Sequence, residues 1–110
     1  MAFRVLFLAH APDADKKIHR SAIDTGMYQL YTVVVKNQEE AVEVSADFVK
    51  SKQIDTILLC PGFRHSDVAE IAQTVGKNVA IAVARGDGPS SRVSQEARKR
   101  EGYSAKKGKD

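Results

Sequence analysis

Four short apolar runs, separated by stretches of helical or loop character, leave this 110-residue chain few folds to choose from. The first, Phe3-Arg-Val-Leu-Phe-Leu-Ala9, sets Phe3, Val5, Phe7 and Ala9 on one face and Leu6 and Leu8 on the other. A strand apolar on both faces needs cover on both, as strands of parallel sheets do. Tyr28 to Lys36 is a second run, rich in β-branched and aromatic residues. Ile54 to Cys60 is a third and Asn78 to Ala84 a fourth. In the fourth, Val79, Ile81 and Val83 alternate with Ala80, Ala82 and Ala84, so one face is bulky and the other small.

The intervening stretches supply the helices. Asp15 to Ile23 predicts a short helix with Ile18, Ala22 and Ile23 as its apolar stripe, closed by Gly26. Asn37 predicts an N-cap for a long helix, with Glu40 three residues on. The core face of that helix is read as Ala41, Val42, Ser45, Ala46, Phe48 and Val49. Val68, Ile71, Ala72 and Val75 fall at i, i+3, i+4 and i+7 of a second long helix, which Gly76 ends. The order β-(short α)-β-α-β-α-β predicts an α/β fold with one four-stranded, mainly parallel sheet. Its expected strand order is 2-1-3-4, half of a flavodoxin-like sheet. Two long helices then lie on one face and the short helix on the other.

Residues 1–88 form the expected α/β domain, and 89–110 a basic C-terminal tail, partly helical over Ser91 to Glu101. Only Val93 and Ala97 are apolar in that segment, so alone it would be marginal. Residues 1–85 hold ten Lys and Arg against ten Asp and Glu, while residues 86–110 hold seven against four. The net charge of +3 therefore resides in the tail, and the neutral body speaks against a nucleic-acid-binding face. No apolar run has the length of a membrane span, and residues 1–9 read as a strand rather than a signal peptide. A single cysteine fits a reducing, cytoplasmic setting, and with three histidines it argues against structural zinc. No cofactor is expected. Two apolar residues in the tail helix cannot seal the small face of the fourth strand, so a homodimer is expected there.

In such a sheet the loops at the carboxyl ends of the strands form the usual ligand crevice. His10 and Asp13 follow the first strand. Cys60, Phe63, Arg64 and His65 follow the third, and Arg85 and Asp87 the fourth. Guanidinium groups and the free N–H groups of a helix N-terminus would suit a phosphate or carboxylate. The thiol with two imidazoles admits a second reading, Cys60 as nucleophile with His10 or His65 as base. The phosphatase spacing, an arginine six residues after the cysteine, is not met, because Ser66 stands there. No strand–GxGxxG–helix or GxxxxGK[ST] pattern occurs.

Several landmarks together look familiar. They are Ala11-Pro-Asp-Ala-Asp15, His19-Arg20, Val33-Val-Val35 leading into Glu39-Glu-Ala-Val-Glu-Val44, Leu59-Cys-Pro-Gly-Phe63 and Val83-Ala-Arg85. They resemble a family of short, uncharacterised bacterial α/β proteins, a domain of unknown function, over about residues 3 to 85. The resemblance implies the fold and directs attention to His19, Arg20, Cys60, Phe63 and Arg85. The family pattern has Cys-Gly-Gly-Phe where this chain has Cys60-Pro-Gly-Phe63, and the proline removes one N–H from the loop. The leading expectation is a small anionic ligand bound in the rim cleft. An interaction module using the basic tail is the remaining alternative.

Overall fold

The computed structural model describes residues 1–86 and 88–103. Its elements are β1 (Phe3–His10), β2 (Arg20–Asp24), β3 (Tyr28–Val35), α1 (Gln38–Lys52), β4 (Thr56–Leu59), α2 (His65–Val75), β5 (Ala80–Val83) and α3 (Ser91–Arg100). One five-stranded sheet runs in the order β2-β3-β1-β4-β5. β1 lies at its centre, parallel to β3 on one side and to β4 on the other, and β5 continues parallel to β4. β2 is antiparallel to β3 and forms the edge.

The expected short helix over Asp15–Ile23 is thus corrected to a loop followed by a strand, and the four-stranded sheet to five strands. Geometry explains the difference. β1 and β3 are parallel, so the chain must return the full length of the sheet between them. Nine residues cover only about 13.5 Å as a helix, whereas an extended strand rises about 3.3 Å per residue. The extended form also satisfies backbone groups along β3, pairing Arg20 with Val33 and Asp24 with Gln29. The hairpin closes where Asp24 Oδ1 accepts the Gly26 N–H at 2.8 Å and Tyr28 O accepts the Thr25 N–H at 2.9 Å. Gly26 has a φ of 101°, which a residue with a Cβ adopts only under strain.

α1 and α2 cover one face of the sheet. Asn37 Oδ1 accepts the Glu40 N–H at 2.9 Å, and Glu40 Oε1 reaches back to the Lys36 N–H at 2.9 Å. The buried stripe of α1 is Ala41, Val44, Ser45 and Phe48, so Val44 takes the central place read for Ala46, which is exposed. These residues meet Leu6, Leu8, Val33, Val35, Ile57 and Leu59 from the sheet and Ile71 from α2. In α2, Asp67 Oδ2 accepts the Arg64 N–H at 2.9 Å, and the Gly76 N–H bonds Ala72 O at 3.0 Å.

The opposite face holds the other parity of each strand: Phe3, Val5, Phe7 and Ala9 of β1 beside Leu30, Thr32 and Val34 of β3. Tyr28 of β3, Ser21 and Ile23 of β2, Thr56 and Leu58 of β4, and Ala80 and Ala82 of β5 complete it. Because the short helix became β2, this face lacks the cover expected for it. α3 has no buried residue and lines clefts at the rim where the parallel strands end.

Candidate functional site at the carboxyl rim

The parallel strands bring their carboxyl ends together by register. The Cys60 N–H bonds Leu8 O at 3.0 Å, so the third apolar run ends beside His10. The Ala84 N–H bonds Leu59 O at 2.8 Å, which brings the β5 exit alongside. After Cys60 the chain turns sharply, the Phe63 N–H approaching Cys60 O at 3.4 Å. Phe63 is driven into the core and is 6% exposed. The His10 ring lies over it with centroids 4.0 Å apart and planes inclined by 33°. Apolar burial of Phe63 thereby fixes where the imidazole sits.

Gly62 stands between the thiol and the imidazole. A Cβ built there would lie 3.6 Å from Cys60 Sγ and 3.7 Å from His10 Nδ1. The two groups that the sequence nominates for chemistry therefore flank one point on the backbone. A different glycine joins the neighbouring loops. A Cβ on Gly86 would lie 2.5 Å from Pro61 Cβ and 3.0 Å from Pro61 Cγ, and the rigid ring cannot yield. Gly86→Ala is expected to force the β4 and β5 loops apart and lower stability by about 1–3 kcal/mol, read from urea unfolding.

Two lobes open at this rim. The larger, about 1010 Å³, has His10, Cys60 and Gly62 among its lining, with Arg64 and Asp67 from the start of α2. Lys36, Asn37 and Gln38 line it from the β3–α1 junction, and Arg98, Lys99 and Tyr103 from α3 and beyond. The smaller, about 690 Å³, is lined by Phe63, His65, Val83 and Arg85. Pro61, Ser94, Gln95 and Arg98 line both, so α3 lies between the lobes.

The charges of the larger lobe are unequal. Among the described residues, Lys36, Arg64, Arg98 and Lys99 line it with one carboxylate, Asp67. Asp67 is 8% exposed, and its Oδ2 already accepts from the Arg64 backbone and lies 3.5 Å from Arg64 Nε. Gln38 Nε2 donates to Asp67 O at 3.2 Å and to Glu70 Oε1 at 2.9 Å, tying the start of α1 to α2. Among the described residues, no three His, Cys, Asp or Glu side chains gather as a metal ion would require.

Of the residues nominated from sequence, Cys60, His10, Phe63 and Arg64 come together, with Phe63 as a support under the imidazole. His65 and Arg85 line the other lobe. Asp13 is exposed and lines neither lobe. His19 and Arg20 close the β1–β2 connection instead. His19 Nδ1 accepts the Asp15 N–H at 2.9 Å, and Arg20 Nε donates to Lys16 O at 2.8 Å. The Arg20 guanidinium also sits 5.5 Å from the centre of the Phe48 ring. Asp87 lies outside the described residues. Sequence reasoning missed Lys36, Gln38, Arg98 and Lys99. Lys36 and Gln38 follow a strand that ends at this same rim, which was the available signal. Nothing in the chain order announced that α3 would lie here.

The fold and the rim define a small α/β protein with a mixed sheet and a cationic cleft at the carboxyl ends of its parallel strands. The chain belongs to a family of unknown function (DUF6506), whose model matches residues 3–98. That match runs past residue 85 into α3. No curated protein and no solved structure matches the chain. Among the described residues no helix is long and apolar enough to cross a membrane.

Proposed function

We propose that this protein binds a small anionic ligand, a phosphate or carboxylate, in the larger rim lobe with Cys60 and His10 in its wall. The observation that supports this reading most is the charge balance of the lining among the described residues, four cationic side chains against one carboxylate engaged in capping α2. Arg64 and Arg98 supply planar guanidinium groups suited to bidentate pairing with an oxyanion. The lone thiol fits a reducing, cytoplasmic setting.

Thermal unfolding in inorganic phosphate and in small dicarboxylates, against potassium chloride at matched ionic strength, tests the reading. A ligand specific for the folded state adds about 2.7 kcal/mol at a hundredfold excess over its Kd. Phosphate also stabilises proteins by exclusion from their surfaces. The informative quantity is therefore the increment that wild type shows and Arg64→Ser/Arg98→Ser lacks. The same anion is expected to slow iodoacetamide labelling of Cys60. Equal increments in both proteins, with labelling unchanged, would remove the proposal.

A second reading is favoured by the flanking of Gly62 by Sγ and Nδ1. Here Cys60 attacks an activated acyl group, His10 takes the thiol proton and the alcohol or phenol leaves. An acetylated Cys60 after incubation with p-nitrophenyl acetate, absent in His10→Ala, would support it. Equal acetylation in both proteins would count against it.

A further inference from the structure

We infer that the helix-free face of the sheet is the contact surface for a second copy of this chain, packed sheet against sheet. Its positions across the five strands are Phe, Val, Leu, Ile, Tyr, Ala, Thr and Ser only, with no charged residue among them. Phe3 is 50% exposed, Ile23 58% and Tyr28 38%, and the rings of Phe3 and Tyr28 lie 5.7 Å apart at one end of the face. Val5 is buried within the single chain yet stands outside the core cluster that the helices seal.

Size supports a stable contact. The strands together hold roughly 30 residues, each occupying about 16 Å² of the sheet plane, so the flat footprint is roughly 460 Å². That lies within the roughly 300–600 Å² of the largest apolar patch on a typical monomer, a patch that is often functional. It supplies more than half of the roughly 800 Å² per partner of a standard-size interface before any rim is counted.

Among the described residues, no helix covers this face. α3 lines the rim lobes and contributes only Val93 and Ala97 as apolar residues, and residues 104–110 contain no large apolar side chain. Charge then selects the occupant. In a two-fold pairing each group meets the same patch on the other copy, so a charged face would repel itself while a neutral apolar one is self-complementary. An uncharged face also carries no electrostatic address for a partner of opposite sign. Two sheets packed this way stand about 10 Å apart with their inner side chains interdigitated, and the bulky Leu30, Phe7 and Leu58 beside the small Ala80 and Ala82 of the β5 edge offer both relief and room.

Sedimentation equilibrium of the full chain over a range of concentrations tests this. The expected mass is twice the 12.0 kDa of one chain. Leu30→Lys places a charge within the face, between Val5 of β1 and Ile23 of β2, and is expected to weaken association by about a hundredfold or more. Because Leu30 is half-buried, Ala82→Lys serves as the companion, at a position already exposed in the single chain. Both variants are expected to sediment as monomers with unchanged far-UV circular dichroism. A wild-type monomer at all concentrations overturns the inference, whether or not neutral lipid vesicles retain it. A dimer that survives both substitutions overturns the choice of surface.

Discussion

Leu8→Ala is expected to remove about 3–5 kcal/mol of folding stability, the upper part of the range for truncating a buried leucine. Leu8 is fully buried on the central strand, paired in register with Val33 on one side and Leu59 on the other, beneath the helices. Collapse onto the missing methyls would require two hydrogen-bonded neighbours to move together, so the cavity stays open. A domain of this size has about 5–15 kcal/mol in total, and each kcal/mol shifts its midpoint by about 4–8 °C. Urea unfolding should show a lowered midpoint with an unchanged slope. A loss under 1 kcal/mol would mean that the wall of the core relaxes, contrary to the register described.

The same measurement separates the two faces of β1. Leu8 contributes to a core complete within one chain, so its loss should not depend on protein concentration. Phe7 points to the opposite, helix-free face. If a second copy covers that face, Phe7→Ala should cost more as concentration rises, since dimerisation stabilises by mass action. Adjacent residues on one strand thus report on different assemblies.

The pattern of apolar runs made β1, β3, β4 and β5 legible because each is a short continuous segment bounded by turn residues. The N-cap at Asn37 and the Gly76 stop were legible for the same reason, since each is set by side chains within a few residues. β2 was not. Ile18, Ala22 and Ile23 satisfy a helical spacing, and Arg20-Ser-Ala-Ile-Asp24 is too polar to read as a strand until β3 lies beside it. The local evidence was the Asp24-Thr25-Gly26 turn, which serves a hairpin better than a helix end. Burial hides it too, since every residue of β2 is exposed.

At the rim, the sequence order located Cys60, His10 and Arg64 because parallel topology gathers strand ends whatever their separation along the chain. His19 and Arg20, singled out by the resemblance and expected on a short helix, instead hold the β1–β2 connection to its own backbone. The sequence order could not place the cations of α3, because only Val93 and Ala97 give that helix an apolar side, and its location depends on loop geometry rather than on a hydrophobic face. Where an element is positioned by weak forces, its pattern carries little information about its neighbours.

Gly62→Ala should separate binding from folding. The added methyl would stand 3.6 Å from Cys60 Sγ and 3.7 Å from His10 Nδ1, ordinary van der Waals separations, and Gly62 is not among the glycines of positive φ. Folding stability is therefore expected to hold or to rise by about 0.4–1 kcal/mol, as unfolded-chain entropy falls. The methyl nevertheless occupies the space between thiol and imidazole in the wall of the larger lobe. The stabilising increment from phosphate should disappear, and Cys60 should label more slowly because its sulfur is now screened. This is the opposite signature to Gly86→Ala, where stability falls because Pro61 cannot move aside. An undiminished phosphate increment in Gly62→Ala would put the anion elsewhere along the rim, with the lobe of His65 and Arg85 as the next place to look. Cys60 and His10 would then be neighbours without a shared ligand.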